Sequence, residues 1–212
     1  MTPIAAPSAP KSATVRRRPL RICLIGPHGA GKSTLARRLA ERLRCPALPE
    51  IGRVLRERAL AADPARHALR PDTDFDRAVF DAERARDAEL RGDVVLETWH
   101  PGNVGYVSVR TPDLLGPLEP AARAAACRLD AVVVQPLTAA REVLRRRLTE
   151  PGGEPEERLD FFGAVAASAV GFARRWGLPV LPPIDTGALD VEGAVRAILA
   201  SLDEPAAFVG AT

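Results

Sequence analysis

Residues 20–43 read Leu-Arg-Ile-Cys-Leu-Ile-Gly-Pro-His-Gly-Ala-Gly-Lys-Ser-Thr-Leu-Ala-Arg-Arg-Leu-Ala-Glu-Arg-Leu. An apolar run ends at Gly26, and the triplet Gly31, Lys32, Ser33 follows four residues later. This spacing is G-x-x-x-x-G-K-[ST], the pattern of a phosphate-binding loop between a buried strand and a helix. Glycines let such a loop turn tightly, so that successive backbone N–H groups point at phosphate oxygens. The stretch therefore predicts a nucleotide-phosphate site at the end of the first strand.

The loop residues have expected contacts with ATP and Mg²⁺. Lys32 is expected to reach the β- and γ-phosphates, and the Ser33 hydroxyl to bind Mg²⁺. The chain is rich in arginine and has only two lysines, Lys11 and Lys32, so a lysine in the loop indicates a specific role. The residues predicted to bind the nucleotide are Gly26, His28, Gly29, Ala30, Gly31, Lys32, Ser33 and Thr34.

Composition predicts one globular domain in a reducing compartment. Of 30 basic residues, four lie in residues 1–18, which contain no acid; the others nearly balance the 27 acidic residues. This balance does not favour a nucleic-acid-binding surface. No apolar stretch reaches the roughly 18 residues of a membrane span, and the three cysteines lack metal-ligand spacing. We therefore expect a cytoplasmic protein with neither nucleic acid nor membrane as a partner.

Strands that alternate with helices predict an α/β fold. Such alternation requires crossover connections, which give a parallel sheet with helices on both faces. Together with the loop, it predicts the P-loop NTPase fold with strand order 2-3-1-4-5. The five expected strands cover about residues 20–26, 45–49, 93–98, 130–134 and 178–181.

The expected domain boundaries follow from composition. Residues 1–18 are rich in Pro, Ala and Ser and are expected to form a disordered basic tail. Residues 19–202 are expected to form the P-loop domain, with a short lid at about residues 145–158. Residues 203–212 are expected to be a C-terminal tail.

Missing motifs narrow the class of P-loop protein. Asn103 is the only asparagine and is followed by Val104, so an N-K-x-D guanine-binding motif is absent from the sequence. No L-S-G-G-Q stretch is present, which disfavours a transporter ATPase. The one clear acid-tipped strand, residues 94–97, ends in Glu97 rather than in the Asp-Glu pair of mechanical ATPases. Size and layout then favour a small-molecule kinase.

On these residues the chain resembles the P-loop nucleoside and nucleotide kinases, a group with thymidylate kinases, deoxynucleoside kinases and nicotinamide riboside kinase-like proteins. The resemblance covers about residues 20–202. It implies ATP- and Mg²⁺-dependent transfer of the γ-phosphoryl group to a nucleoside, nucleotide or related small metabolite, and it leaves open a homodimer. It also implies that Glu50, after the second strand, accepts the proton of the attacking hydroxyl. Arg53, one helical turn later, either holds substrate phosphate or pairs with Glu50.

A second part of the resemblance lies after the third strand, where a loop over residues 99–103 is expected. Glu97 matches the acid of a family motif, but Thr98 replaces its arginine, which makes a nonstandard acceptor plausible. Glu97 is expected to bind Mg²⁺ with Ser33 or to serve as the base in place of Glu50. The predicted acceptor contacts are Trp99, His100, Asn103 and Tyr106.

A third part is an arginine-rich segment that resembles a lid. Arg145 and Arg147 are the favoured catalytic cations, although little in the sequence separates them from Arg141 and Arg146. The alternative is that these arginines form a solvated helix face paired with nearby glutamates. The stretch around Thr186, residues 185–187, resembles the segment that flanks the adenine of ATP in these kinases, which implies that Thr186 lies in the nucleotide site. Two other functions remain open: a nucleotide-binding regulatory ATPase, and a P-loop kinase for a non-nucleoside alcohol such as a sugar, acid or antibiotic.

Overall fold

A parallel five-stranded sheet lies at the centre of the computed structural model, which describes residues 18–63, 68–129, 131–149 and 152–203. The predicted tails, apart from Arg18 and Asp203, lie outside these residues. The strands run in the order β2-β3-β1-β4-β5, so the predicted order is confirmed. Their bounds are Arg21–Ile25 (β1), Ala47–Leu48 (β2), Val94–Glu97 (β3), Val132–Thr138 (β4) and Ile184–Asp185 (β5).

Helices connect the strands and cover both faces of the sheet. No helix within the described ranges is both long enough and apolar enough to pass through a membrane. A short 3₁₀ helix, Pro112–Leu114, precedes α5. The helices are Lys32–Leu43 (α1), Ile51–Ala62 (α2), Thr73–Glu89 (α3), Trp99–Arg110 (α4), Leu115–Ala126 (α5), Arg141–Arg147 (α6), Pro155–Arg175 (α7) and Val191–Asp203 (α8).

Strand β1 shows how the sheet separates two apolar cores. Successive side chains of a strand point to opposite faces. Ile22 and Leu24 pack into one core, with residues of α1 and α8. Cys23 and Ile25 pack into the other, with residues of α4, α5 and α7. Both faces of β1 are therefore buried, which explains its continuous apolar sequence.

The last strand lies later in the chain than predicted. The segment 178–181 runs beside β4 but forms only an isolated bridge, between Val180 and Val134. The regular pairing with β4 occurs at Ile184–Asp185 instead. Proline has no backbone N–H to donate, and prolines stand at positions 179, 182 and 183, so this stretch cannot form a continuous ladder.

The expected loop at residues 99–103 is the first turn of α4. Thr98 and Trp99 adopt positive φ angles of 67° and 50°, which turn the chain sharply from β3 into the helix. The N–H of Gly102 then donates to the carbonyl of Thr98 at 3.1 Å. Pro101 is tolerated because the N–H groups of a first helical turn have no partner within the helix. The proline and glycine in this stretch suggested a loop, but their positions are compatible with a helix start.

A buried ion pair joins α3 to the end of α4. Arg110 donates to both carboxylate oxygens of Asp76, and the Thr111 hydroxyl donates to Asp76 Oδ2 at 2.6 Å. The Arg110 and Asp76 side chains are only 2% and 3% exposed. Arg110 Nη1 also donates to the carbonyl of Ala68 at 2.8 Å, so its charge and most of its donors are satisfied.

Replacing Asp76 with alanine is expected to lower the free energy of unfolding by about 3–5 kcal/mol, because Arg110 would remain buried without a counter-charge. Chemical denaturation measured by circular dichroism checks this. Asp81→Ala is the matched control, since Asp81 is exposed on the same helix. Equal stability of the two variants would contradict a structural role for the pair.

Candidate active site

The loop between β1 and α1 has the geometry of a phosphate cradle. Gly29 and Gly31 have φ angles of 80° and 83°, a region that glycine adopts without strain. The Lys32 ammonium donates to the carbonyls of Gly26 and Pro27, at 2.7 and 3.1 Å. These bonds hold the lysine along the loop, and α1 begins at Lys32, so its N-terminal N–H groups face the same space.

A hydroxyl and a carboxylate suited to a hard cation lie side by side beyond this loop. Ser33 Oγ donates to Glu97 Oε2 at 2.7 Å. The Arg53 guanidinium is 2.6 Å from Ser33 Oγ and 3.5 Å from Glu97 Oε2, so a positive group contacts both oxygens. No cluster of three or more His, Cys, Asp or Glu side chains among the described residues could hold a metal alone. Mg²⁺ bound with nucleotide needs only one or two protein oxygens, so Ser33 and Glu97 fit the predicted site.

Glu50, the N-terminal cap residue of α2, lies next to the tip of β3. The Thr98 hydroxyl donates to Glu50 Oε2 at 2.9 Å, and the Thr98 N–H donates to the carbonyl of Leu24. A Cβ on Gly102 would lie 2.3 Å from Thr98 Cγ2, so the absence of a side chain at position 102 makes room for the threonine. Thr98, where the resemblance expects arginine, therefore orients the Glu50 carboxylate.

The surroundings of Glu50 favour its ionised form. Burial alone would raise its pKa, but the positive charges of His28 and Lys32, the Thr98 hydrogen bond and Arg53 together hold the pKa below the ordinary value of 4.5. Glu50 is therefore a carboxylate at neutral pH, able to accept a hydrogen bond or a proton from a bound hydroxyl.

A cavity lies between α2, α3 and α4 and opens toward the phosphate-binding loop; we call it the α2–α4 cavity. The space between these helices is about 800 Å³ when the solvent at its open mouth is included. His28, Glu50 and Arg53 line both this cavity and the space over the loop. A molecule in the cavity can therefore present a group to the phosphate site at Glu50. The apolar walls include Leu60, Phe75, Val79, Phe80, Val104 and Val107.

His28 and Tyr106 form the boundary between the two spaces. The Tyr106 hydroxyl lies 2.9 Å from His28 Nε2, and the His28 ring stacks on Phe162 with 4.0 Å between centroids. Tyr106 lines the α2–α4 cavity, as expected for an acceptor contact. The prediction placed His28 with the nucleotide contacts, and the structure puts it beside both spaces.

Trp99 and His100, two other predicted acceptor contacts, point into the core. Trp99 Nε1 donates to Asp87 Oδ1 at 3.0 Å, and His100 Nε2 lies 2.6 Å from Asp87 Oδ2. Both side chains are fully buried, and neither lines the cavity. Asn103 does line it, while its amide donates to Glu83 Oε2 at 3.0 Å. The first turn of α4 thus uses its polar side chains mainly to bind α3.

The structure separates the two favoured arginines. Arg147 extends over the phosphate-binding loop, with Nη1 3.4 Å from the carbonyl of Gly29 and Nη2 3.4 Å from that of Thr186. Arg145 instead pairs with Glu142 and donates to Glu156 Oε1 at 2.7 Å. The alternative of a helix face paired with glutamates therefore describes Arg145.

Two further sequence expectations have structural outcomes, and one residue of the cavity was not predicted. The Thr186 hydroxyl donates to the carbonyls of Ala30 and Thr138, so the side chain braces the loop. Arg53 contacts Ser33 and Glu97 rather than Glu50. Arg56 lines the cavity and was missed, although it lies three residues after Arg53, a spacing that puts both on one side of α2.

Comparison with known proteins agrees with this architecture. A family model described as an AAA domain matches residues 21–176. No curated protein matches the chain.

Several solved structures are similar to this one. A deoxyadenosine kinase from M. mycoides has a TM-score of 0.58 at 15% identity, with 87% of this chain and 98% of that one covered. A gluconokinase from Sinorhizobium meliloti 1021 has a TM-score of 0.56 at 20% identity, with 88% of this chain and 93% of that one covered. A shikimate kinase from Bacteroides thetaiotaomicron has a TM-score of 0.53 at 18% identity, with 87% of this chain and 99% of that one covered. The resemblance to P-loop nucleoside and small-molecule kinases is thus confirmed at the level of fold.

Proposed function

We propose that this chain, which belongs to the AAA domain family, is an ATP- and Mg²⁺-dependent kinase of a small molecule. The acceptor is a nucleoside, a nucleotide or a related small metabolite. One observation carries the proposal: the α2–α4 cavity meets the phosphate-binding loop at Glu50, His28 and Arg53. A phosphotransferase needs a small-molecule cavity that opens onto the γ-phosphate, whereas nucleotide hydrolysis alone does not.

The reaction assigns a role to Glu50. The acceptor oxygen forms a bond to the γ-phosphorus, the bond from that phosphorus to the β–γ bridging oxygen breaks, and ADP leaves. Glu50 orients the acceptor hydroxyl and takes its proton, while Thr98 keeps the carboxylate in place. Glu97 contacts Ser33, the other predicted Mg²⁺ ligand, and does not line the cavity, so it is better placed for a metal than for the acceptor proton.

Cations of the loop and of α6 carry the electrostatic part of catalysis. Lys32 and the loop N–H groups hold the phosphates, and Arg147 approaches from α6. Mg²⁺, when held by Ser33 and Glu97, supplies positive charge to the β- and γ-phosphates. Little covalent chemistry is required of the protein, because positioning and charge neutralisation account for most of the acceleration.

An acceptor screen tests the proposal. Purified protein with MgATP is offered nucleosides, nucleotides, sugars and hydroxy acids one at a time, and ADP release is compared with the acceptor-free rate. Stimulation by an acceptor, with the phosphorylated product identified by mass spectrometry, supports a kinase. ADP release that no acceptor changes would overturn it in favour of a regulatory ATPase.

The two arginines give a prediction within this function. Arg147→Ala is expected to lower kcat about 10-fold to 100-fold, because the side chain over the loop is lost at the point where negative charge is transferred. Arg145→Ala is expected to change kcat by less than about threefold, since its partners are surface glutamates. Steady-state kinetics with saturating ATP compare the variants, with exposed Arg146→Ala as a further control. The reverse order of effects would assign the catalytic cation to Arg145.

A kinase for a non-nucleoside alcohol is the second candidate. The observation in its favour is the charge of the cavity, where Arg56 stands among apolar walls. Gluconokinase and shikimate kinase, named for acceptors that carry a carboxylate, share the fold.

A further inference from the structure

We propose that the phosphoryl acceptor carries an oxyanion, either a carboxylate or a phosphate, and that Arg56 binds it in the α2–α4 cavity. That the bound molecule is a phosphoryl acceptor rests on the proposed kinase function. The presence of an anion site is argued from the contacts of Arg56 alone.

Arg56 is a cation that the described part of the protein leaves without a counter-ion. Its side chain is half-buried on α2 and lines the cavity. The guanidinium lies 4.4 Å from the centroid of the Phe75 ring, a contact that orients it but uses none of its N–H donors. No carboxylate among the described residues lies within ion-pair distance, and no hydrogen bond of its guanidinium is found there either.

The other arginines of the cavity already have partners. Arg110 is bound to Asp76 and to the carbonyl of Ala68. Arg53 contacts Ser33 and Glu97. Of the guanidinium groups that line the cavity in the described residues, only that of Arg56 has neither a side-chain nor a carbonyl partner.

The position is unfavourable for a cation in the absence of an anion. Burial lowers the pKa of Arg56, and the like charge of Arg110 lowers it further; together they outweigh the opposite effect of Tyr106, Glu50 and Asp76. A half-buried guanidinium without an ion-pair partner among the described residues is stabilised when an anion binds to it. Its planar fork of N–H donors matches carboxylate and phosphate, to which it can make two parallel hydrogen bonds. An oxyanion on the acceptor would therefore relieve the repulsion and orient the molecule.

The helix sets the distance between this anion and the reacting group. Glu50 caps α2 and Arg56 follows six residues later, so the two residues lie roughly 9 Å apart along the helix axis at 1.5 Å per residue. One acceptor can therefore bind Arg56 through its anion and present a separate hydroxyl to Glu50. Arg56 would select the acceptor, whereas Glu50 acts on it.

Paired probes test the inference on the full chain. The carboxylate arm uses gluconate and shikimate, the phosphate arm uses glucose 6-phosphate and dCMP, and the neutral arm uses sorbitol, glucose and deoxycytidine. Each probe is tested for stimulation of ADP release and for a shift in melting temperature. We expect binding and turnover in one of the anionic arms, which identifies the source of the oxyanion, and neither in the neutral arm.

Arg56→Gln is expected to raise the KM or Kd of the active anionic probe about 10-fold to 100-fold, with a smaller change in kcat. Its melting temperature without ligand should not fall below that of the wild type, because no ion pair with a described residue is lost and a cation in an unfavourable position is removed. Arg58→Gln, at an exposed position of the same helix, is the matched control and should behave as the wild type.

The outcomes separate this inference from the kinase function. Turnover of a neutral alcohol that is equal in the wild type and Arg56→Gln overturns the anion site and leaves the kinase intact. A melting-temperature shift by an anionic probe that Arg56→Gln abolishes, without ADP release from any probe, supports the anion site while the kinase function fails. Absence of binding and turnover with every anionic probe overturns the inference.

Discussion

Lys32→Met is expected to lower phosphoryl transfer by roughly 1,000-fold or more, the largest effect of any single substitution in this chain. The Lys32 ammonium is held by the carbonyls of Gly26 and Pro27, in the loop that we expect to bind the phosphates. Methionine keeps the length of the side chain but removes the charge that the β- and γ-phosphates require. The rate of acceptor phosphorylation at saturating MgATP measures the effect.

Two controls separate chemistry from folding. Arg42→Met removes a cation from an exposed position of the same helix and should leave the rate unchanged. Lys32→Arg keeps the charge but places a larger planar group in the loop, so it should also be strongly impaired. Full activity of Lys32→Met, with an unchanged melting temperature, would disprove the assignment of the loop.

Glu50→Gln is expected to lower kcat about 100-fold to 1,000-fold, with little change in the affinity for ATP. The amide fits the same space and can still accept the hydrogen bond from Thr98, but it cannot take a proton. Glu57→Gln is the matched control, since Glu57 lines the same cavity from an exposed position. If Glu97→Gln loses kcat while Glu50→Gln is active, the base is Glu97.

The pH profile gives the same assignment a second readout. The pKa of Glu50 is lowered from 4.5, so the group stays ionised as pH falls from neutral toward that value. The loss of kcat/KM due to Glu50 is therefore expected only below about pH 4.5. An acidic limb near pH 6 in the wild type would contradict Glu50 as the titrating base.

Much of the fold was predictable because local patterns determine it. The spacing of the phosphate-binding loop predicts its neighbouring strand and helix, and buried strands such as β3 contain a continuous apolar run, here residues 94–96. The fifth strand was placed too early, because an apolar run at 178–181 indicates burial and not pairing. Prolines on both sides of that run restrict its ladder to one bridge.

The candidate site was less predictable, because its contacts join distant parts of the chain. Glu50 was predicted from its position after a strand, but its partner Thr98 lies 48 residues away. Trp99 shares a motif with Tyr106, yet its indole is fully buried against Asp87 while Tyr106 reaches the cavity. Sequence spacing does not show which residues of α4 face α3. The same holds for Arg56, because the lack of a counter-ion among the described residues can be recognised only when its neighbours are known.

The α2–α4 cavity and the phosphate-binding loop take their walls from separate stretches of chain. Apart from His28, Glu50 and Arg53, the residues around one space do not line the other. Divergence in this kind of protein can therefore exchange one substrate for another by drift at positions such as Phe75 and Val79, while the donor chemistry is inherited unchanged. A directed-evolution experiment on this chain would randomise those wall positions and keep the three shared residues constant.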